Sequence, residues 1–262
     1  MPQYQEKATV ARIEQFPQKN FRLTLSCPQI ASCAKSGQFV MIRVGEGNDP
    51  LLRRPFSIHQ KGIDGNIQIY FKVVGKGTEI LAQVRKDQEI SVLGPLGRGF
   101  RINVNAPAII VGGGLGIAPL LFVAKENCRM KQNCSDDLIL LGARDKNELE
   151  HLVSDFSSLG MRILTATDDG SLGHHGFVTE ILQSITLPPG SNVYCCGPEP
   201  MMAGVHRICR SHGVPCQVSV ESIMACGMGA CLGCSRPAKD GSLTHVCLNG
   251  PVYDSEDLSW TM

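Results

Sequence analysis

Four cysteines towards the end of the chain constrain its structure more than any other feature of the sequence. Cys226, Cys231 and Cys234 follow the spacing C-x4-C-x2-C, and Cys247 comes after twelve further residues. This is the ligand spacing of plant-type [2Fe–2S] clusters, which are held by four thiolates. The thiolates converge if the loop folds back on itself, and its glycines permit this because glycine adopts backbone angles that other residues avoid. We therefore predict a [2Fe–2S] cluster bound by these four cysteines.

Other roles for cysteine stay open at this point. A structural zinc site would more typically pair C-x2-C with a second C-x2-C or with histidines. Disulfides fit poorly in a chain without an export signal. Six further cysteines are expected to be small buried or surface thiols: Cys27, Cys33, Cys128, Cys134, Cys209 and Cys216.

The overall composition limits the classes of partner. At 262 residues the chain has room for two compact domains and a smaller module, and 43% hydrophobic residues can fill their cores. A formal charge of +1 gives no global field, so neither nucleic acid nor an acidic membrane surface is expected as a partner. The first residues lack a secretory signal, and no run of eighteen apolar residues occurs. We expect a cytoplasmic protein without membrane association.

Short runs of alternating apolar residues recur through residues 1–103. Runs of this kind, separated by Gly, Pro, Asn and Asp, favour a small antiparallel β-barrel or sandwich over α/β units. The runs are Ala8–Ile13, Phe21–Cys27, Phe39–Val44, Ser57–His59, Ile67–Val74 and Glu89–Leu93.

The basic segment at the fourth run is a candidate anion site. Arg53 and Arg54 could clamp a phosphate through charge-assisted hydrogen bonds, with the rigid Pro55 following them. Phe56 could cover an aromatic ring, and the Ser57 hydroxyl could hydrogen-bond a nitrogen at the edge of that ring. The alternative is a solvated basic turn.

A second candidate anion site lies where a strand gives way to a helix. The strand contains Tyr70, Phe71 and Lys72, and a glycine turn then leads through Gly77 to a helix that starts near Thr78. The free N–H groups of a helix N-terminus suit a pyrophosphate. An ordinary helix cap is the alternative.

The middle of the chain, residues 104–215, has a different pattern. The apolar strand Ala108–Val111 runs into Gly112, Gly114 and Gly116, which open a helix, so the backbone can approach a diphosphate closely. The turn is not the strict G-x-G-x-x-G, because Pro119 takes the last position. Further strands alternate with helices, which favours an open parallel sheet.

Two later positions of this sheet leave alternatives open. Arg144, after the second strand, could meet a 2′-phosphate or only an adenosine, so these residues do not separate NAD from NADP. The last strand, Asn192–Cys196, runs into Gly197 and Pro198. In its simplest role, Cys196 is a small buried residue at a strand end.

The first two candidate sites resemble the flavin domain of the ferredoxin–NADP reductase superfamily. Arg54-x-Phe56-Ser57, followed by the Gly77–Thr78 turn, is similar to the Arg-x-Tyr-Ser pattern of that domain, with Phe56 in place of tyrosine. The resemblance implies that Arg54 holds the FAD phosphates, that Ser57 lies near the flavin N5 and that Gly77 and Thr78 cap the pyrophosphate.

The segment Cys196-Gly197-Pro198 with the following Pro200-Met201 resembles a second element of the superfamily, which lies beside the nicotinamide. The resemblance implies candidate catalytic roles for Cys196 and, on the flavin side, for Ser57. We predict an α+β multidomain fold: an antiparallel FAD-binding barrel over 1–103, an α/β parallel-sheet NAD domain over 104–215 and a small [2Fe–2S] module over 216–262.

The order of segments along all 262 residues resembles one family: the electron-transfer subunits of the NAD-dependent, two-subunit (type B) dihydroorotate dehydrogenases of bacteria. The motif M-A-C-G-x-G-A-C-x-x-C, with its C-x-x-G-P-V tail, is the most specific part. Ile223 departs from the family, in which a basic residue often precedes Met-Ala-Cys. The resemblance implies FAD, a [2Fe–2S] cluster and NAD as cofactors.

The resemblance also implies a partner. An FMN-containing catalytic subunit would oxidise dihydroorotate in pyrimidine biosynthesis, in a heterotetramer with two copies of each chain. Electrons would pass from its FMN through the cluster and FAD to NAD+. We expect an interface around Met224, Met228 and Leu232, which could equally form a small local core.

Three other functions fit parts of the pattern. The first is the small FAD and [2Fe–2S] subunit of an NADH-dependent ferredoxin–NADP oxidoreductase or a sulfide dehydrogenase, although such loops often replace one cysteine by aspartate. The second is a stand-alone NADH-dependent reductase with a diffusing acceptor. The third, which is not an enzyme, is a zinc-bearing interaction protein.

Overall fold

The computed structural model describes residues 2–45, 47–131 and 133–260. Its strands are β1 (Tyr4–Phe16), β2 (Asn20–Ser26), β3 (Phe39–Ile42), β4 (Arg54–Lys61), β5 (Asn66–Lys72), β6 (Glu89–Leu96), β7 (Ala108–Gly113), β8 (Leu138–Ala143), β9 (Arg162–Thr167), β10 (His174–His175), β11 (Asn192–Cys196), β12 (Cys216–Ser219), β13 (Ser235–Pro237), β14 (Leu243–His245) and β15 (Val252–Asp254). Its α-helices are α1 (Pro28–Cys33), α2 (Lys76–Leu81), α3 (Ile117–Lys131), α4 (Lys146–Phe156), α5 (Val178–Ser184), α6 (Glu199–Ser211) and α7 (Val246–Asn249). Within the described ranges, no helix has the length and apolar character needed to cross a membrane.

The first of two compact units contains the residues up to Gly99 together with Glu221–Arg236 and Thr244–Pro251. Its strands close into a barrel in the order β1-β2-β5-β4-β3-β6. Neighbouring strands run antiparallel. Each of the six predicted runs forms a strand here, so the predicted barrel is confirmed.

Alternating apolar side chains stabilise this barrel. Leu23 and Leu25 on β2 are fully buried, and they are paired with the buried Ile69 and Ile67 on β5. Residues two apart in a strand share one face, which is why the alternation in the sequence predicts this burial. Burying each such side chain contributes about 1.5–3 kcal/mol. The burial of these side chains therefore stabilises the barrel to which the other segments of this unit are attached.

The second unit contains Phe100–Val220, Pro237–Leu243 and the residues from Val252 onward. Its sheet has the strand order β10-β9-β8-β7-β11-β12-β15. Neighbours are parallel except that β15 runs antiparallel to β12. The predicted parallel-sheet domain is confirmed, and its edge carries a strand from the end of the chain that the sequence did not indicate.

A buried ion pair fixes one end of this sheet. Lys131 Nζ lies 2.7 Å from Asp137 Oδ1, and both side chains are almost fully buried. The Asp137 carboxylate also accepts hydrogen bonds from Ala108 N at 2.7 Å and from Asn127 Nδ2 at 2.6 Å. One carboxylate therefore joins the start of β7 to the end of α3, and removing either charge would leave the other buried and unpaired.

The residues predicted as a third module, 216–262, are shared between the two units. The return strand predicted over His245, Val246 and Cys247 is wrong beyond His245, because α7 begins at Val246. The helical turn directs Cys247 N to the Cys234 sulfur at 3.4 Å, whereas a strand would use that N–H in its ladder. The predicted domain boundaries after residues 103 and 215 stay predictions.

Candidate functional site

The four predicted cluster cysteines lie in the first unit, and each of their sulfurs accepts a hydrogen bond from a backbone N–H. The N···S distances are 3.5 Å from Met228 to Cys226, 3.4 Å from Cys231 to Cys226, 3.5 Å from Gly233 to Cys231, 3.4 Å from Cys247 to Cys234 and 3.1 Å from Gly229 to Cys247. Backbone donors of this kind stabilise negative charge on sulfur and tune the potential of an iron–sulfur cluster. The loop is therefore arranged for thiolates.

The cysteines form an inner and an outer pair. Cys234 and Cys247 are buried, with their sulfurs 3.3 Å apart. Cys226 is half-buried and Cys231 is exposed. In the described part of the chain, no group of three or more Cys, His, Asp or Glu side chains is arranged around a point for one metal ion. A [2Fe–2S] cluster needs two ligands on each of two irons, and two cysteine pairs fit that requirement.

The proton affinities of the sulfurs differ along the loop. Burial raises the pKa of Cys226, but the backbone N–H groups of Met228 and Cys231 outweigh it and lower that pKa to about 6. Burial, followed by the hydrogen bond with Cys234, raises the pKa of Cys247 to about 12. At neutral pH, Cys226 is therefore a thiolate before iron binds, and Cys247 gives up a proton on binding.

Two glycines hold the loop in place. Gly227 has φ +73°, and a Cβ at that position would lie 2.6 Å from Met41 Cγ on β3. Gly229 has φ +84° and packs against Leu248. Both the left-handed backbone and the close approach to the barrel wall require glycine here. The sequence indicated the glycines but not Met41, since nothing local in β3 marks a contact with a loop so distant along the chain.

The predicted phosphate-binding elements of the flavin site come together in the same unit. A Cβ at Gly77 would lie 2.9 Å from Arg54 Nε, so the turn and the arginine touch. Thr78 Oγ1 accepts from Gly75 N at 3.2 Å and donates to Gly75 O at 2.9 Å, which fixes the start of α2. A guanidinium beside a helix start suits a pyrophosphate.

Arg53 is held differently from its neighbour. Its Nη1 donates to Ser91 O at 2.9 Å and to Met41 O at 3.4 Å, and its Nη2 donates to Ser91 Oγ at 3.0 Å. Burial, and then the nearby Arg43, lower the pKa of Arg53. Pro55 is paired with Met41 between β3 and β4. Arg53 thus ties β3 to β6, and its predicted contact with a flavin phosphate stays a prediction.

The residues predicted to contact the flavin ring, and those of the strand that leads to the phosphate turn, differ in exposure. Phe56 and Phe71 are buried, with ring centroids 5.6 Å apart in an edge-on arrangement. Tyr70 is buried on the opposite face of β5, and Lys72 is half-buried at its end. The Ser57 hydroxyl is half-buried and makes no side-chain hydrogen bond within the described ranges. The half-buried Ser57 hydroxyl is therefore the group placed for the predicted hydrogen bond to a flavin nitrogen.

The predicted glycine turn of the second unit connects β7 to α3. A Cβ at Gly112 would lie 2.9 Å from Ile117 Cγ1, and a Cβ at Gly116 would lie 2.5 Å from Gly197 N. Gly114 differs, because it has φ +54° and a Cβ there would meet no atom within 4 Å. Gly112 and Gly116 therefore serve close packing, and Gly114 is the open point at which a diphosphate could approach the backbone.

The predicted nicotinamide-side element lies next to this turn. Cys196 at the end of β11 is paired with Gly112 at the end of β7. The Cys196 side chain is buried, Gly197 is half-buried and Pro198 is exposed. The structure thus brings the two predicted nucleotide-binding segments together at the carboxyl ends of β7 and β11. The catalytic role of Cys196 stays a prediction.

A closed antiparallel barrel, a parallel sheet with a glycine turn and a four-cysteine loop define an oxidoreductase of the ferredoxin–NADP reductase type. The structure of an NADH-dependent reduced ferredoxin–NADP oxidoreductase, studied for flavin-based electron bifurcation, aligns with a TM-score of 0.83 and 29% identity, covering 97% of this chain and 90% of that chain. A ferredoxin NADP+ reductase from Neisseria gonorrhoeae shares the fold, with a TM-score of 0.67 and 16% identity over 80% of this chain and 92% of that chain.

Sequence relatives narrow the class further. Residues 221–259 match the iron–sulfur cluster binding domain of dihydroorotate dehydrogenase B. The electron transfer subunit of dihydroorotate dehydrogenase B (NAD(+)) from Desulforamulus reducens is 37% identical, with 97% of each chain covered. The subunit from Fusobacterium nucleatum is 34% identical, with 97% of this chain and 98% of that chain covered. The chain belongs to the family of dihydroorotate dehydrogenase B electron transfer subunits, which confirms the predicted family and the predicted oxidoreductase class.

Proposed function

We propose that this chain is the electron transfer subunit of an NAD-dependent dihydroorotate dehydrogenase that works in pyrimidine biosynthesis. Its cofactors are FAD, a [2Fe–2S] cluster and NAD. The observation that carries the proposal is the set of four cysteines, three on one loop and Cys247 on α7, in which every sulfur accepts a hydrogen bond from a backbone N–H. They lie within the same compact unit as the Arg54–Gly77 phosphate element. We assign the chemistry of dihydroorotate itself to a catalytic partner.

Different residues of the chain would hold each of the three cofactors. When bound, a [2Fe–2S] cluster passes single electrons, FAD exchanges one or two, and NAD+ accepts a hydride. The four cysteines would hold the irons, and the backbone donors of the loop would stabilise charge on the sulfurs. Arg54 and the start of α2 would hold the FAD phosphates, and Ser57 would orient the ring. The turn at Gly114 would orient the dinucleotide, so the protein's contribution is positioning.

The cofactor of the partner and the stoichiometry of the complex are also part of this proposal. We infer a catalytic subunit that contains FMN, two copies of each chain in a heterotetramer, and a cytoplasmic location. Large apolar side chains around the cluster loop support a docking surface: Ile223 is 90% exposed, and Met228, Leu232 and Leu248 are each about half exposed. Met224 is half-buried and contributes less to such a surface.

A second candidate function rests on the likeness to the NADH-dependent reduced ferredoxin–NADP oxidoreductase. In that case the chain would serve a different partner and exchange electrons with ferredoxin. All four cluster cysteines are present in this chain, whereas the loops of that group often carry an aspartate, so the dihydroorotate-linked function is favoured.

Reconstitution tests the proposal. The purified chain would be assayed for NAD+ reduction with dihydroorotate, first alone and then with an FMN-containing dihydroorotate dehydrogenase subunit. We expect no reduction by the chain alone and NADH formation once the partner is added. Full turnover without a partner, or turnover with ferredoxin but not with dihydroorotate plus partner, would overturn it. Colourless protein without iron or flavin would favour the zinc-bearing alternative instead.

A further inference from the structure

Arg144 lies at the carboxyl ends of the parallel strands, where the glycine turn also lies. β8 is adjacent to β7, with Gly142 paired to Gly113, and Arg144 directly follows the end of β8. In open parallel sheets, the diphosphate of a dinucleotide binds at the first such turn, and residues after the next strand read the adenosine ribose. Arg144 and its immediate neighbours are therefore the residues placed to meet the 2′-position of a dinucleotide.

The guanidinium of Arg144 is already engaged by a carboxylate. Arg144 Nη2 donates to Glu148 Oε1 at 3.1 Å, and Arg144 N donates to Glu148 Oε2 at 3.4 Å. The Arg144 side chain is 73% exposed, but that of Glu148 is 12% exposed. Glu148 N in turn donates to Asp145 Oδ1 at 3.0 Å, the N-cap bond of α4. The largely buried carboxylate of Glu148 therefore holds the exposed guanidinium of Arg144 in place.

The surrounding charges are also largely negative. Asp169 N donates to Arg144 O at 3.3 Å, which places Asp168 and Asp169 beside Arg144. Hydrogen bonds from the Ser171 hydroxyl and amide hold the pKa of Asp169 below its usual value, so this carboxyl is ionised at neutral pH. The N-terminus of α4, which would otherwise attract a phosphate, is capped by the Asp145 carboxylate.

We propose that Glu148, by pairing with Arg144, makes this site accept a ribose 2′-hydroxyl and reject a 2′-phosphate, and so selects NAD over NADP. A hydroxyl can accept from the guanidinium and donate to a carboxylate, so it fits an arginine–glutamate pair. A 2′-phosphate would bring its negative charge next to the carboxylates of Glu148 and the neighbouring aspartates. Like charges that close to one another repel, so binding of NADP would be weakened. The inference rests on the proposed function and deepens it by naming the residue that sets the choice of dinucleotide.

Calorimetric titration of the oxidised holoprotein with NAD+, NADP+ and the fragment 2′,5′-ADP tests this role. Glu148→Gln keeps an oxygen that can accept from Arg144 N, so the local fold is retained. We expect it to strengthen binding of NADP+ and of 2′,5′-ADP about tenfold, and to weaken binding of NAD+ about threefold because the 2′-hydroxyl then meets a neutral amide oxygen in place of a carboxylate. The double variant Arg144→Ala, Glu148→Gln should lose that gain, because the released guanidinium provides it.

Glu150→Gln is the matched control. Glu150 lies on the same helix, its removal changes the net charge equally, and it pairs with Lys146 at 3.4 Å rather than with Arg144. An equal gain in this control would indicate a general charge effect and overturn the inference, as would a Glu148→Gln variant that shifts both dinucleotides together. Wild-type protein that prefers NADP+ would also overturn it. Wild-type protein that binds neither dinucleotide would instead count against the proposed function.

Discussion

Arg53 and Arg54 are adjacent in the sequence but should respond differently to replacement. Arg53→Met removes the hydrogen bonds to Met41 O, Ser91 O and Ser91 Oγ that join β3 to β6, so we expect the free energy of unfolding to fall by about 1–3 kcal/mol. Arg54→Met removes no bond between barrel strands, and stability should stay within about 0.5 kcal/mol of wild type. FAD affinity should fall about tenfold in Arg54→Met, because a charge-assisted contact is lost. Urea unfolding of the apoprotein and fluorescence titration with FAD measure both effects; equal destabilisation by the two changes would contradict this division.

Gly77 offers a second test of the flavin-phosphate element. A Cβ there would lie 2.9 Å from Arg54 Nε and 3.3 Å from Arg54 Cγ, so Gly77→Ala should displace the guanidinium. We expect FAD to bind about tenfold more weakly, with little loss of barrel stability. Gly75→Ala is the control two residues earlier, since its Cβ would meet nothing within 4 Å and its φ of 169° is extended backbone that any residue adopts. Equal weakening in the two variants would show that the turn, and not the arginine contact, is responsible.

The sequence could not have separated the two arginines. They have the same chemistry and neighbouring positions, and their roles depend on which side chain meets Ser91 across the barrel. Glu148 was missed for a related reason: an acidic residue in the first turn of a helix is ordinary, and its contact with Arg144 becomes meaningful once β8 is placed beside the glycine turn. The four cysteines could be predicted because their spacing is local.

Local periodicity in the sequence predicted those strands whose position depends on residues close by in the chain. The barrel strands alternate because each has one face in a core, so β1 to β6 were found from the sequence. The strand predicted through Cys247 was wrong, because the end of β14 is set by a hydrogen bond to the sulfur of Cys234, which is distant in sequence. β15 was missed because it joins the sheet through β12, a pairing that no local pattern marks.

The cluster loop can be tested as one element through its glycines. Gly227→Ala requires a side chain at φ +73° and a Cβ 2.6 Å from Met41 Cγ, so the loop should leave the barrel wall. We expect iron and acid-labile sulfide per chain to fall well below those of wild type, while FAD content is retained. Gly233→Ala lies in the same loop, has no positive φ and would meet only Cys231 Sγ at 3.6 Å, so it should keep its cluster. Visible absorption and iron analysis of the two proteins, purified side by side, decide the matter.

Taken as a whole, the molecule separates the residues predicted to bind iron and FAD from the residues predicted to bind NAD. The cysteines and the flavin-phosphate element belong to the first unit, and the glycine turn, Cys196 and Arg144 belong to the second. Similarity to electron transfer subunits runs through both units, with 97% of the chain covered. A protein built in this way should lose one electron-transfer activity without losing the other.

Cys231→Ser is the change that tests this separation. Cys231 is exposed, its sulfur accepts a hydrogen bond from Gly233 N within the loop, and the predicted FAD and NAD residues do not include it. Because a cluster needs all four thiolates, we expect dihydroorotate-dependent NAD+ reduction with the partner to fall to the level without partner. NADH-dependent reduction of a dye should continue largely unchanged, since FAD and NADH keep their residues. Cys33→Ser makes the same substitution at a thiol of the first unit outside the loop and should preserve both activities. Parallel loss of both activities in Cys231→Ser would mean that the loop supports the fold of the flavin unit and that its role in electron transfer needs another explanation.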